Sequence, residues 1–194
     1  MSSPAVAAIL EGMSVIVDGE TKLTYEEYKH FPEDGRRHEI IDGGHYVSPS
    51  PDTDHQSASR HIQFALYSQI EIPNRGKVFD APMDLELSPI DVVQPDLIVV
   101  LNERRDIILR SRLRGVPDLV VEILSPSTAE RDRSLKLALY ERHRVPEYWL
   151  VDTGNRCVHQ YRLGEHGYVS PHTATDRITF SDATVDLTEV WRRL

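Results

Sequence analysis

The sequence predicts one α/β domain, a mixed β-sheet flanked by α-helices, and three observations predict it. Leu97–Leu101 and Leu119–Leu124 are near-continuous apolar runs of strand length, the mark of central strands covered on both faces. Ala58, Ile62, Ala65, Leu66 and Ile70, and later Leu135, Leu139 and Tyr140, recur at helical spacing. The second helical stretch lies between the Leu119 run and Glu147–Val151, which makes a strand–helix–strand unit.

In chain order, Thr24-Tyr25-Glu26-Glu27 reads as a capping box that opens a short helix ending before Pro32. His38–Ile41, Asp42-Gly43-Gly44 and His45–Ser48 read as a hairpin. Ser48-Pro49-Ser50-Pro51-Asp52 interrupts the chain before the first long helix, which runs to Pro73. Met83, Leu85 and Leu87 alternate with Asp84, Glu86 and Ser88, as in a half-buried strand. Pro126-Ser127-Thr128 closes the Leu119 run, and Asp132–His143 resumes as helix. Val158–Leu163 with Tyr168–Ser170 suggests a closing hairpin, and Leu187–Leu194 a last helix. Residues 1–22 read as an arm and 23–194 as the domain.

Composition narrows the classes. The 194 residues are 40% hydrophobic and 27% charged, as in a globular domain that buries a substantial core. The longest apolar run in the middle falls far short of the ~20 residues a membrane helix needs, so no membrane partner is expected. Ala5–Leu10 is apolar but has no basic residues before it and makes a poor signal peptide. Cys157 is alone, which excludes an intrachain disulfide and agrees with a cytoplasmic location. A net charge of −9 weighs against broad charge-driven binding to nucleic acid. Five arginines between Glu103 and Arg114, Arg104 and Arg105 among them, could still touch phosphates; a solvated loop is the plainer reading.

Two acids stand out. Asp96 runs directly into Leu97–Leu101, and Glu122 sits inside Leu119–Leu124. Carboxylates are depleted from strands, and burying an unpaired one costs several kcal/mol, so the pair needs a partner. If the two strands are antiparallel neighbours, the acids meet at one end of the sheet. Magnesium favours one or two carboxylates with waters and phosphate oxygens, and such an ion polarises a phosphodiester. Singly, each acid reads more simply as a strand cap or an arginine partner; together they favour a metal. Lys136 shares a helix face with Asp132 and lies near the end of the Glu122 strand, either as a surface ion pair or as a charge stabiliser. Glu39, beside Ile40 and Ile41, is a further acid in apolar company. His55 and Gln56 open the first long helix, where a histidine can serve as general acid or phosphate ligand but is usually an ordinary surface residue.

Other constellations fail. Gly76-Lys77 lacks the first glycine and the serine or threonine of a phosphate-binding loop. There is no glycine–x–serine–x–glycine elbow, no zinc helix and no dinucleotide fingerprint.

The ordered motifs resemble a known family. Glu39-Ile40-Ile41-Asp42-Gly43, Ser48-Pro49-Ser50-Pro51 with His55, Val93-Gln94-Pro95-Asp96-Leu97 and Asp118–Thr128 occur in sequence. Asp132, Lys136, Tyr140 and Val145–Asp152 follow. This pattern, from about Leu23 to Arg162, is similar to the Uma-two family of the PD-(D/E)XK restriction-endonuclease-like superfamily. The resemblance implies a restriction-endonuclease-like mixed sheet flanked by helices and a magnesium- or manganese-dependent nuclease centre. By position, Asp96, Glu122 and the backbone carbonyl of Ile123 would be metal ligands, and Glu39 the upstream acid. The superfamily's usual lysine follows the second acid by two residues, where this chain has Leu124; Lys136 is the natural substitute.

The expected function is metal-dependent hydrolysis of DNA phosphodiester bonds, with Asp96, Glu122, Lys136 and Glu39 as catalytic residues. His55, Gln56, Arg104 and Arg105 are candidate substrate contacts. The alternatives are a catalytically weak or inactive nuclease-fold binding or regulatory module and a hydrolase of a small phosphoester. Nuclease-class enzymes often work as dimers, so a homodimer is carried as an expectation, although the sequence shows no interface.

Overall fold

A computed structural model describes residues 15–17, 20–125 and 132–194, and no side chain at positions 15–20 or 132. The Ala5–Leu10 stretch, the Pro126-Ser127-Thr128 turn and the Asp132 side chain lie outside what is described. Strands β1 (Val15–Val17) and β2 (Glu20–Lys22) form a hairpin, and the Lys22 ammonium meets Asp42 at 2.5 Å. In α1 (Tyr25–Tyr28) the Glu27 carboxylate accepts the Thr24 N–H at 2.9 Å, as the capping box requires.

β3 (Arg37–Ile41) and β4 (Gly44–Ser48) pair antiparallel around Asp42-Gly43. Both turn residues have positive φ, 51° and 75°, the conformation that makes Asp-Gly a favoured two-residue hairpin turn. Helix α2 (Thr53–Leu66) starts at Asp52, whose Oδ1 accepts the His55 N–H at 2.8 Å, and continues through a wider turn, Tyr67–Glu71.

The strands that follow are β5 (Gly76–Asp80), β6 (Leu85–Ser88), β7 (Asp91–Val93), β8 (Leu97–Leu101), β9 (Leu113–Arg114) and β10 (Leu119–Ile123). A 3₁₀ segment, Asn102–Ile107, leaves β8. The turn Asp132–Lys136 leads into α3 (Leu137–Arg142), then β11 (Glu147–Asp152) and β12 (Cys157–Arg162). β13 (His172–Ala174), β14 (Arg177–Phe180), β15 (Ala183–Asp186) and α4 (Leu187–Trp191) complete the described chain.

The architecture is mixed α/β. One sheet runs β13-β12-β11-β10-β8-β5, and a second runs β4-β3-β7-β6-β9. β10 and β11 are parallel and linked through α3, the strand–helix–strand unit expected from sequence. β8 and β10 are antiparallel, with Val121 opposite Leu97.

Alternation along these strands divides the core. Leu97, Val99, Leu119, Val121 and Ile123 face α2, β14, β15 and α4. Ile98, Val100, Val120 and Leu124 face α3 and the second sheet. Among the described residues no helix is long and apolar enough to cross a membrane.

Two expected elements differ. Tyr168–Ser170 is not a strand: Tyr168 makes one bridge to Leu163, but its N–H is taken by Glu141 Oε1 at 2.6 Å, so β12 pairs with β13 instead. In β6 the polar member does not face solvent. Glu86 is buried beside Leu85 because Arg112 binds its carboxylate at 2.5 Å.

Candidate active site

The antiparallel register of β8 and β10 brings Asp96, just before β8, to the end of β10 that carries Glu122 and Ile123. Asp96 Oδ2 accepts the Ile123 N–H at 2.8 Å. In an extended strand a residue's N–H and C=O point to the same side, so the Ile123 carbonyl also faces the Asp96 end.

The second sheet delivers the countercharges. Arg37 and Glu39 are two residues apart on β3 and therefore share a face. Arg37 Nη1 donates to Asp96 Oδ1 at 2.6 Å, and Glu39 Oε1 lies 2.9 Å from Lys136 Nζ. Lys136, at the last position of the turn before α3, also reaches Glu122 Oε1 at 2.8 Å. Tyr140, one helical turn further, donates its hydroxyl to the same oxygen at 2.6 Å. From the opposite face, α2 places His55 Nε2 3.0 Å from Asp96 Oδ2. His55 Nδ1 is buried and has no hydrogen-bond partner among the described residues. Glu39, Glu122 and Lys136 are 1–2% exposed, and Asp96 4%.

Burial works to raise the Asp96 pKa. The His55 hydrogen bond, the Arg37 charge and the Ile123 N–H overcome it and hold the carboxyl at about 2. Burial likewise opposes the Arg37 charge, yet Asp96, Glu122 and Glu39 together raise its pKa. That guanidinium therefore sits in the field of all three acids. The Tyr140 phenol is pushed well above its ordinary value, first by burial and then by the charges of Glu122 and Glu39, so it stays a donor.

A cleft of about 670 Å³ opens over Asp96. His55, Gln56, Ser59, Arg60 and Gln63 of α2 form one wall, Arg36 and Arg37 another, and Ala81 and Pro82 a third side. The structure thus joins Asp96, Ile123, Glu122, Glu39, Lys136 and His55 in one network, with Gln56 at its mouth. It does not bring Arg104 and Arg105 there. Arg104 pairs with Asp118 at 3.0 Å, and Asp118 precedes β10 at the opposite end of the strand from Glu122. Sequence alone does not single out Arg37, and it marks Tyr140 by helical spacing and as a motif residue without a role in the site. For Arg37 the one signal was its i, i+2 spacing from Glu39.

Among the described residues no three His, Cys, Asp or Glu side chains converge as a ready-made metal cage. The donor set still fits a hard divalent cation: magnesium needs only one or two carboxylates, with waters and substrate oxygens completing its shell.

Comparison with known proteins agrees in extent with this core. The Uma2 family model, described as a putative restriction endonuclease, matches residues 25–190. An uncharacterized protein of Synechocystis, slr1290, is 27% identical over 164 residues, which cover 81% of this chain and 84% of that protein. A crystal structure of a putative nuclease belonging to DUF820 from Anabaena variabilis superposes with a TM-score of 0.73 at 18% identity. It covers 88% of this chain and 98% of its own, and shows a shared fold.

Proposed function

The chain belongs to the Uma2 family, and from that membership we propose that it is a metal-dependent nuclease that hydrolyses DNA phosphodiester bonds at the Asp96–Glu122 end of the β8–β10 pair. One observation carries the proposal: two strands of one sheet and one of a second join three buried acids, a lysine and an arginine beneath an open cleft. A purely structural ion pair does not need three clustered carboxylates, one of them, Asp96, at the floor of a cleft.

Asp96, Glu122 and the Ile123 carbonyl would hold Mg²⁺ or Mn²⁺, which when bound supplies a polarised phosphodiester and an acidified water. Lys136, fixed between Glu122 and Glu39, presents its ammonium to negative charge developing on the phosphate. His55 orients Asp96 through Nε2–H, the tautomer that a carboxylate partner selects. Arg36, Arg37 and Arg60 line the path of the phosphate backbone into the cleft.

The test is DNA cleavage with Mg²⁺ or Mn²⁺, assayed on single strands and on duplex. Wild type cleaves; Asp96→Ala and Glu122→Ala, checked for folding, do not. Cleavage by both variants overturns the proposal. A second reading, a binding module that keeps the nuclease fold, draws on the fact that Asp96 and Glu122 are already engaged by Arg37, His55, Lys136 and Tyr140. Calorimetry separates the two: a folded wild type that takes up no Mg²⁺ at millimolar concentration supports the module.

A further inference from the structure

We infer that the outward face of α2 is a track for an unpaired DNA strand, which stacks bases on Phe64 and Tyr67 and passes the adjoining phosphate across Arg60 to the Asp96 cleft. The inference rests on the nuclease reading above and names the form of its substrate.

Helical geometry sets the track. With 3.6 residues per turn, Gln56, Arg60, Gln63, Phe64 and Tyr67 share the face opposite Ala58, Ile62 and Leu66, which are fully buried. Burial of one face leaves no packing reason for aromatics on the other. Phe64 is nevertheless 70% exposed and Tyr67 44%. A rise of about 1.5 Å per residue places Phe64 about 6 Å, and Tyr67 about 10 Å, beyond Arg60 along the axis, steps comparable with base spacing in an extended strand. Gln56, Ser59, Arg60 and Gln63 are also a wall of the cleft, so the aromatic track and the candidate active site are continuous.

Charge is balanced at the cleft, which Glu33, Asp80 and Asp96 line together with Arg36, Arg37 and Arg60. Arg36 is paired with Asp34 and Arg37 with Asp96, whereas the exposed Arg60 makes no ion pair or hydrogen bond from its side chain among the described residues. Glu71, at the far end of the track, is compensated by Lys77 at 2.8 Å and does not leave a bare negative charge there. A protein of net charge −9 with one uncommitted cleft arginine gains little affinity from phosphates. Stacking supplies it independently of charge, at roughly 5- to 150-fold per base.

Size favours a single strand over a duplex. A cleft of about 670 Å³ is the size of a drug-like ligand's pocket and takes one or two nucleotides. Asp96, 4% exposed at its floor, is more readily approached by a single extended strand than by a phosphate held on a broad double helix.

The experiment is fluorescence anisotropy of the full chain with labelled dT12 and with a blunt 12-base-pair duplex, in EDTA so that no cleavage occurs. The expected result is dT12 bound at least tenfold more tightly than the duplex, with Phe64→Ala and Tyr67→Ala each weakening dT12 at least fivefold. Arg60→Ala should lower the salt slope by about one. Equal affinity for the duplex, or dT12 affinity indifferent to the Phe64→Ala/Tyr67→Ala pair, overturns the inference. So does a sedimenting dimer that Phe64→Ala dissociates without changing dT12 affinity, since a second copy then occupies the face. The two readings fail separately. A protein that binds dT12 through Phe64 and Tyr67 but cleaves nothing with Mg²⁺ overturns the nuclease and keeps the track. One that cleaves through Asp96 while ignoring Phe64 and Tyr67 overturns the track alone.

Discussion

Lys136 reaches Glu122 across 14 residues of chain, its Nζ 2.8 Å from Oε1. The position two residues after Glu122 holds Leu124, which is buried against the α3 side of the sheet. Because α3 covers that same face, a lysine at its start approaches the acid from above, and the strand can keep an apolar residue.

Lys136→Met leaves Glu122 and Glu39 without their shared ammonium in a buried setting. Removing one partner of such a pair costs about 3–5 kcal/mol. Urea denaturation of Lys136→Met should show a loss of this order, and Lys136→Met/Glu39→Gln should recover part of it. Unchanged stability in the single variant would contradict the buried network.

The depressed Asp96 pKa ties stability to pH. Its folded value is about 2, below the ~3.9 of an unfolded aspartate, so its contribution is complete above about pH 4 and disappears as pH falls through 2. The contribution is about 3 kcal/mol, from a shift of roughly two units at about 1.4 kcal/mol each. Denaturation midpoints from pH 5 to pH 2 should fall more steeply for wild type than for Asp96→Asn; parallel curves would remove Asp96 as the source.

Tyr140→Phe deletes one hydroxyl from a ring that is fully buried, leaving its packing intact. The lost hydrogen bond, 2.6 Å to a carboxylate, is worth about 1.5–3 kcal/mol. Chemical denaturation checks it, and a loss below 0.5 kcal/mol, on the order of a surface substitution, would be the wrong outcome.

Arg104→Ala and Arg105→Ala act at the far end of β8. Arg104 is a partly exposed partner of Asp118, so its loss costs about 1 kcal/mol or less, and that of the exposed Arg105 about nothing. Neither should alter cleavage by wild-type active-site residues in a nicking assay. A tenfold drop in either variant would bring DNA across the opposite pole of the sheet.

How far the sequence could be read depended on distance along the chain. Runs and periods are local, so the β8 and β10 strands, α2 and the unit through α3 were legible from their own residues. So were Asp96 and Glu122, which are conspicuous because they interrupt apolar runs. Arg37 was not. Its meaning lies in a contact with Asp96 that spans 59 residues, and nothing around Arg37 itself is unusual. β7 and β9 escaped for a related reason: they are short and take their identity from neighbours, as β9 does by pairing with β6 over two residues, while β5 carries no continuous apolar run. Arg104 and Arg105 show the converse case: a local cluster of charge is conspicuous in sequence, and register places it at the other end of β10 from Glu122.

Arg37 and Glu39 project from one strand of the second sheet, Arg37 to grip Asp96 just before β8 and Glu39 to grip Lys136 on the turn before α3, so the seam between the layers is stitched by the same side chains that would perform chemistry. Silence in a catalytic assay after changing any of them therefore mixes two causes, lost reactivity and layers coming apart. Beyond His55, the outward face of α2 has no such double duty: among the described residues the Arg60, Gln63 and Phe64 side chains make no hydrogen bond or ion pair. Selection and mutagenesis can rewrite what that wall recognises without touching the hinge on which the molecule's integrity rests.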